Sequence, residues 1–355
     1  MPKEARQLLN TYEAANIALI KPSALGDIIH SLPVLNALRL RFPQAKITWV
    51  VNQAYAPLLD GHPDLDEVLP FDRKNGWRAF PLLLCELYRR EFDLVIDLQG
   101  LLRTGLMTAA TCAPRRVGLS SAREGARFFY TDVLTSPERG EVKSLHAVDR
   151  CWLVAGALGV GHLEKRFVLP IGDSAKEWAL QRLVASPRPW LVVCPGSRWP
   201  TKRWPPEHFA ELIRRAQAKF GGTAILLGSR DEKSACQAVG RMTAGPMLDL
   251  SGETTLPQLA AFLSLADVVL ANDSGPLHLA AALGRPVTAP YTCTQVARHG
   301  PYEQFQHSVP TTVRCAGSYR KRCGRLECMQ ELRPDRLWPV LEEALYKWAS
   351  HCHSA

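Results

Sequence analysis

Short apolar runs of four or five residues, each closed by a turn and followed by a stretch with helical spacing, recur along this chain and constrain its fold more than any other feature. In the first half the runs are residues 17–20 (IALI), 47–51 (ITWVV) and 94–98 (LVIDL), with a further apolar piece near Val68. Helical spacing covers 28–41, 81–90 and 146–158. A second series follows, with runs at 190–194 (WLVVC), 223–227 (TAILL) and 268–271 (VVLA) and helices at 206–220, 256–265 and 276–283. Runs that are apolar at nearly every position suit strands buried on both faces, and strand–helix alternation suits a parallel sheet covered by helices. The pattern predicts an α/β chain of two Rossmann-like, doubly wound domains facing each other across a cleft. Its 355 residues suffice for two ordinary cores. The expected divisions are an N-terminal domain over 1–170, a linker with a short helix over 171–189 and a C-terminal domain over 190–333. A final helix over 334–355 has packing back on the N-terminal domain as one option.

Lys and Arg total 43 against 34 Asp and Glu, a formal charge of +9, which suits an anionic partner: nucleic acid, an anionic membrane surface or a phosphorylated substrate. The basic residues are dispersed apart from 314–325, and there is neither zinc-finger spacing nor an RNA-binding aromatic signature, so nucleic acid is not expected. The opening MPKEARQLLNTYEAAN lacks the apolar core of a secretory signal. No apolar stretch of about 18 residues is present, so no membrane-spanning helix is expected. Ten cysteines without a signal predict reduced thiols in the cytoplasm. A monomer is expected.

In open parallel sheets ligands sit at the carboxyl ends of strands, beside helix N-termini, so the loops after strands carry the candidates. In 21–27 (KPSALGD), Ser23 and Gly26 allow a tight turn with backbone close to a ligand. Asp27 either complements a helix dipole or stands as a general base. In 195–204 (PGSRWPTKRW), Ser197 and Thr201 offer hydroxyls and Arg198, Lys202 and Arg203 offer charge. That set suits a diphosphate without a metal, or is a solvated basic loop. In 271–278 (ANDSGPLH), Ser274 and Gly275 can present N–H groups to phosphate or sugar oxygens, and Asp273 can accept from sugar hydroxyls. An ordinary helix cap reads the same way, and His278 is either a ligand residue or a satisfied core histidine. In 228–232 (GSRDE), Asp231 or Glu232 suits ribose hydroxyls or caps a helix. Asp64 and Asp66 look like a metal-binding pair but sit in a Pro-containing turn, and no metal is expected there. Cys315, Cys323 and Cys328 are irregularly spaced among basic residues, a weak metal signal.

Together these loops resemble glycosyltransferase family nine, the lipopolysaccharide heptosyltransferases of GT-B fold. The resemblance rests on IALIKPSALGDIIHSLPVLNALRLRFPQAKITWVV, and then on HPDLDEVLPFDR, VIDLQGLLRTG, AREGARFFYTD, HAVDRCWLVAGALG and ANDSGPLHLAAALGRPV, in that order. It implies inverting, metal-independent transfer from ADP-heptose to the Kdo-containing inner core of lipopolysaccharide. Asp27 would take the acceptor hydroxyl's proton. Ser197, Arg198 and Lys202 fall where the family holds the donor's phosphates, and Asp231 or Glu232 where it holds the ribose. Asp273, Ser274, Gly275 and His278 fall in its donor-binding segment. Gln99, Arg103 and Arg123 are candidates for the acceptor, beside Ser23 and Gly26. The C-terminal cysteine pattern departs from that of many relatives, with Ser318 at one cysteine position. Two rivals share this architecture: a family-nine transferase of another nucleotide sugar, and a nucleotide-sugar 2-epimerase.

Overall fold

A computed structural model describes residues 7–72, 75–135 and 142–352. The chain divides into two compact units, Met1–Pro170 and Ile171–Ala355.

The first unit holds strands β1 (Asn16–Ile20), β2 (Lys46–Asn52), β3 (Glu67–Phe71), β4 (Leu94–Asp97), β5 (Arg115–Leu119) and β6 (Asp132–Leu134). They form one sheet of order β3-β2-β1-β4-β5-β6, and every pair is parallel. Its helices are α1 (Leu25–Ile29), α2 (Leu32–Arg41), α3 (Gly76–Arg89), α4 (Leu102–Ala110) and α5 (Ala147–Ala157). The central strands β1 and β4 are buried almost throughout, which is why both read as uninterrupted apolar runs. Ala18, Ile20, Val50, Val95 and Phe71 form a core with Leu83 and Leu87 of α3 and Met107 of α4.

The second unit repeats the plan with β7 (Trp190–Cys194), β8 (Thr223–Leu226), β9 (Met247–Asp249), β10 (Val268–Ala271), β11 (Val287–Tyr291) and β12 (Ser308–Pro310). The order is β12-β11-β10-β7-β8-β9, again all parallel. Counted from its own first strand, that is the order of the first unit. The helices are α6 (Asp173–Leu183), α7 (Pro206–Phe220), α8 (Lys233–Arg241), α9 (Leu256–Leu265), α10 (Gly275–Ala282), α11 (Val296–His299), α12 (Glu327–Glu331) and α13 (Pro334–Cys352).

The helix expected over 28–41 is broken at His30 and Ser31 into α1 and α2. Pro33 has no N–H to give to the carbonyl of Ile29, and its ring disfavours helical backbone before it. The short helix expected within 171–189 is α6, which buries Ala175, Ala179 and Leu183 and packs on α9 inside the second unit. Helix α13 packs on α7, β10 and β11 of its own unit, where Leu337, Leu341 and Leu345 complete the core. Each buried leucine contributes about 1.5–3 kcal/mol. The pairs Lys219–Glu342, at 2.6 Å, and Arg215–Asp335, at 2.7 Å, tie α13 to α7.

Each sheet reverses winding at one point, between β1 and β4 in the first unit and between β7 and β10 in the second. Ligands of such sheets bind at this switch, outside the carboxyl ends of the two strands. The loops there carry residues 21–27 and 98–103 in one unit, and 195–204 and 272–278 in the other.

Candidate active site

In the first unit the chain leaves β1 at Lys21 and enters α1. Asp27 is the third residue of α1, and its Oδ2 accepts from the backbone N–H of Ala24 at 3.0 Å, closing the first turn. The side chain is nonetheless 41% exposed, within reach of a hydroxyl from outside. Lys21 is buried, donates to the carbonyl of Leu98 at 2.8 Å and stands 3.8 Å from Asp27 Oδ1. A fixed ammonium therefore faces the carboxylate from the end of β1.

The loop after β4 meets this turn, since Gln99 Oε1 accepts from the N–H of Ser23 at 3.4 Å. Beneath it Asp97 is buried and accepts from the N–H groups of Gln99 (2.8 Å) and Gly100 (3.0 Å) and from the hydroxyl of Tyr130 (2.7 Å). Burial raises the carboxyl's pKa, opposed by these donors; burial and the neighbouring carboxylate push the Tyr130 hydroxyl up in turn. Arg123 joins by its backbone, donating to the carbonyl of Gly100 at 2.8 Å, with its side chain exposed. Arg103 is exposed on α4, its guanidinium 5.9 Å over the ring of Phe71. Ser23, Gly26, Asp27, Gln99 and the Arg123 backbone are thus gathered at one end of one sheet.

In the second unit Asp273, after β10, is the hub. Its Oδ2 lies 2.6 Å from Lys202 Nζ and accepts from the hydroxyl of Thr294, while His278 Nε2 stands 3.7 Å from Oδ1. Burial would raise the carboxyl's pKa; the neighbouring His278 and the charge of Lys202 outweigh it and hold Asp273 well below the usual carboxylate range. Asp273 therefore anchors Lys202 from within. The Lys202 ammonium also lies 4.8 Å over the ring of Trp199, which Lys321 approaches at 5.3 Å. Ser197 is buried, its hydroxyl 3.5 Å from the carbonyl of Asp273, and its own carbonyl accepts from Arg203 Nε at 2.7 Å. Asn272 bridges the same two loops, donating to Pro195 O at 2.7 Å and accepting from Trp204 N at 3.2 Å. Arg198 stands exposed at the loop's tip.

Helix α10 starts after Ser274, whose side chain makes no capping bond and whose buried Oγ has no hydrogen-bond partner among the described residues. The N–H groups of Gly275 and Leu277 have no acceptor within the helix, while Pro276 has no N–H to offer. An unpaired hydroxyl, free N–H groups and the positive end of a helix dipole form a seat for an anion. Glu232 is drawn toward the same loops. It caps Ser229 through N and Oγ, both 2.9 Å from Oε2, and a Cβ on Gly196 would lie 2.3 Å from its Oε1. Asp231 is exposed beside it.

Sequence reasoning gave no role to Lys21, Asn272, Thr294 or Tyr130. Lys21 carried a signal, a charged residue closing a fully apolar strand. Thr294 follows β11, a strand that the sequence analysis did not identify. Asp64 and Asp66 serve the turn: Asp64 accepts from Asn36 at 2.9 Å, and Asp66 pairs with Arg39 at 2.5 Å and accepts from Ile47 N at 2.7 Å. Cys315, Cys323 and Cys328 are free thiols, and among the described residues no three His, Cys, Asp or Glu are placed to hold a metal ion. No helix of the described residues is long and apolar enough to cross a membrane.

Known proteins resemble this chain in sequence and in fold. Lipopolysaccharide heptosyltransferase 1 of Pseudomonas aeruginosa is 31% identical, covering 86% of this chain and 87% of its own. The lipopolysaccharide core heptosyltransferase OpsX of Haemophilus influenzae is 28% identical over 85% and 86%. Among solved structures, a family 9 glycosyl transferase of Veillonella parvula superposes with a TM-score of 0.79 at 22% identity, covering 94% of this chain and 98% of that one. The E. coli heptosyltransferase WaaC with ADP superposes at 0.68 with 26% identity, over 93% and 99%. The fold is thus the two-domain α/β GT-B fold of these enzymes. The model of glycosyltransferase family 9 (heptosyltransferase) matches residues 83–328, well over half of the sequence. The chain is a glycosyltransferase and belongs to family 9.

Proposed function

We propose that this enzyme transfers heptose from ADP-heptose to the Kdo- and heptose-containing inner core of lipopolysaccharide, inverting the anomeric centre and using no metal ion. The observation that carries the reading is the exposed carboxylate of Asp27, fixed at the switch point of a parallel sheet. The names of the relatives supply the sugar and the acceptor, and the ADP in the WaaC structure supplies the nucleotide.

Asp27 takes the proton of the acceptor hydroxyl as its oxygen bonds to the anomeric carbon. The bond from that carbon to the donor's phosphate oxygen breaks in the same step, and ADP departs. The leaving diphosphate gathers charge, which the second unit meets with Lys202, Arg198, the hydroxyls of Ser197 and Ser274 and the N–H of Gly275. Donors already fixed in place need no reorganisation as that charge develops. Asp273 and His278 hold Lys202 and the start of α10 in position. Asp231 and Glu232 receive the ribose. Ser23, Gly26, Gln99, Arg103 and Arg123 receive the acceptor, whose anionic groups suit the two guanidiniums. The reaction takes place in the cytoplasm, with the enzyme peripheral on the inner membrane's cytoplasmic face, where a basic protein is drawn to anionic lipid.

Incubation with ADP-heptose and a Kdo-bearing lipid acceptor is expected to add the mass of one heptose to the acceptor, in excess EDTA as well as without it. An acceptor of unchanged mass refutes the reading, and transfer abolished by EDTA refutes metal independence.

A further inference from the structure

We propose that one face of the first unit, built from α3, α4 and the turn Ala126–Phe129, docks on an anionic phospholipid bilayer; this rests on the lipid-borne acceptor proposed above. Phe128 is 91% exposed, and it does not stand alone. Its turn lies on α4 where Gly105 leaves room: a Cβ there would be 2.6 Å from the ring of Phe129 and 3.0 Å from Ala126. Leu102 and Leu106, one turn apart on one face of α4, are exposed beside that contact. Helix α4 packs on α3, whose outer side shows Leu82 at 71% exposure.

Basic groups stand among these side chains. Arg103 follows Leu102, Arg127 precedes Phe128, and both are exposed. The nearby Glu124 is turned to the start of α4, where it accepts from Leu102 N at 3.3 Å. Apolar side chains flanked by guanidiniums suit the boundary between headgroups and acyl chains, with the phosphates meeting the arginines. Charge chooses the occupant: a second copy of this chain, at +9, is repelled, whereas an anionic bilayer is attracted. The face also begins at the right place. Leu102 and Arg103 open α4 just after β4, at the end of the sheet where Asp27 follows β1. A lipid-anchored sugar would therefore reach the base without leaving the membrane surface.

The test is co-sedimentation of the full chain with phosphatidylglycerol–phosphatidylcholine vesicles and with phosphatidylcholine vesicles, without substrate. Wild type is expected to pellet with the anionic vesicles and far less with the neutral ones. Phe128→Ser with Leu106→Ser is expected to weaken anionic binding at least about tenfold, with an unchanged circular dichroism spectrum. Phe128→Trp is expected to retain binding, and Val184→Ser, on an exposed residue of the second unit, to leave it unaltered. Wild type that ignores anionic vesicles, or a double serine variant that pellets like wild type, overturns the proposal. So does a wild-type dimer in light scattering that the double variant dissociates, since the face would then take a second copy. Transfer to a water-soluble acceptor fragment is measured alongside and is expected to be equal in wild type and double variant. Its failure in wild type counts against heptose transfer, while the vesicle result still decides the docking face.

Discussion

Asp27→Asn lowers turnover by at least about a hundredfold while donor affinity stays at the wild-type value, the size expected when a general base is removed. Asparagine keeps an oxygen that can accept from Ala24 N, so the first turn of α1 stays closed and only the proton acceptor is lost. Asp27→Ala removes both. Its turnover should fall as far, with an added loss of stability of about 1 kcal/mol from the broken cap. Steady-state rates with calorimetric donor binding separate the two effects. Wild-type turnover in Asp27→Asn would show that the carboxylate only serves the helix.

The second large effect falls on Lys202. Lys202→Ala is expected to raise the donor's Kd at least about tenfold, since one charge-assisted contact to phosphate contributes about 1.5–3 kcal/mol. It also leaves Asp273 buried without its cation. Unfolding free energy should fall by about 3 kcal/mol, the lower end for a broken buried pair because Thr294 still donates to the carboxylate. Adding Asp273→Asn to Lys202→Ala removes the unpaired charge. The double variant should regain most of the stability and none of the affinity. Donor titration and chemical denaturation check both halves. Unchanged affinity in Lys202→Ala would remove this lysine from the donor's phosphates.

The sequence disclosed the central strands because burial on both faces leaves only apolar residues in them, as in IALI and VVLA. It disclosed β6, β9 and β12 poorly. Each has three residues at the side of its sheet, and none of the three is a wholly apolar run. The loops after β1, β7 and β10 stood out by their small and charged residues. What those side chains do to one another did not. Asp273 read as a group open to sugar hydroxyls, yet the fold gives it Lys202 and Thr294, 71 positions before it and 21 after it in the chain. No local spacing encodes such a contact. The same holds for Tyr130 reaching Asp97 across 33 residues. Pro33 is a local signal for the break between α1 and α2, set within apolar spacing that is helical on either side.

The central claim is a single displacement in which Asp27 deprotonates the acceptor while the donor's diphosphate leaves. Nuclear magnetic resonance of the isolated product, compared with the donor, reads the anomeric configuration of the transferred sugar. The account predicts inversion, and retention would contradict it.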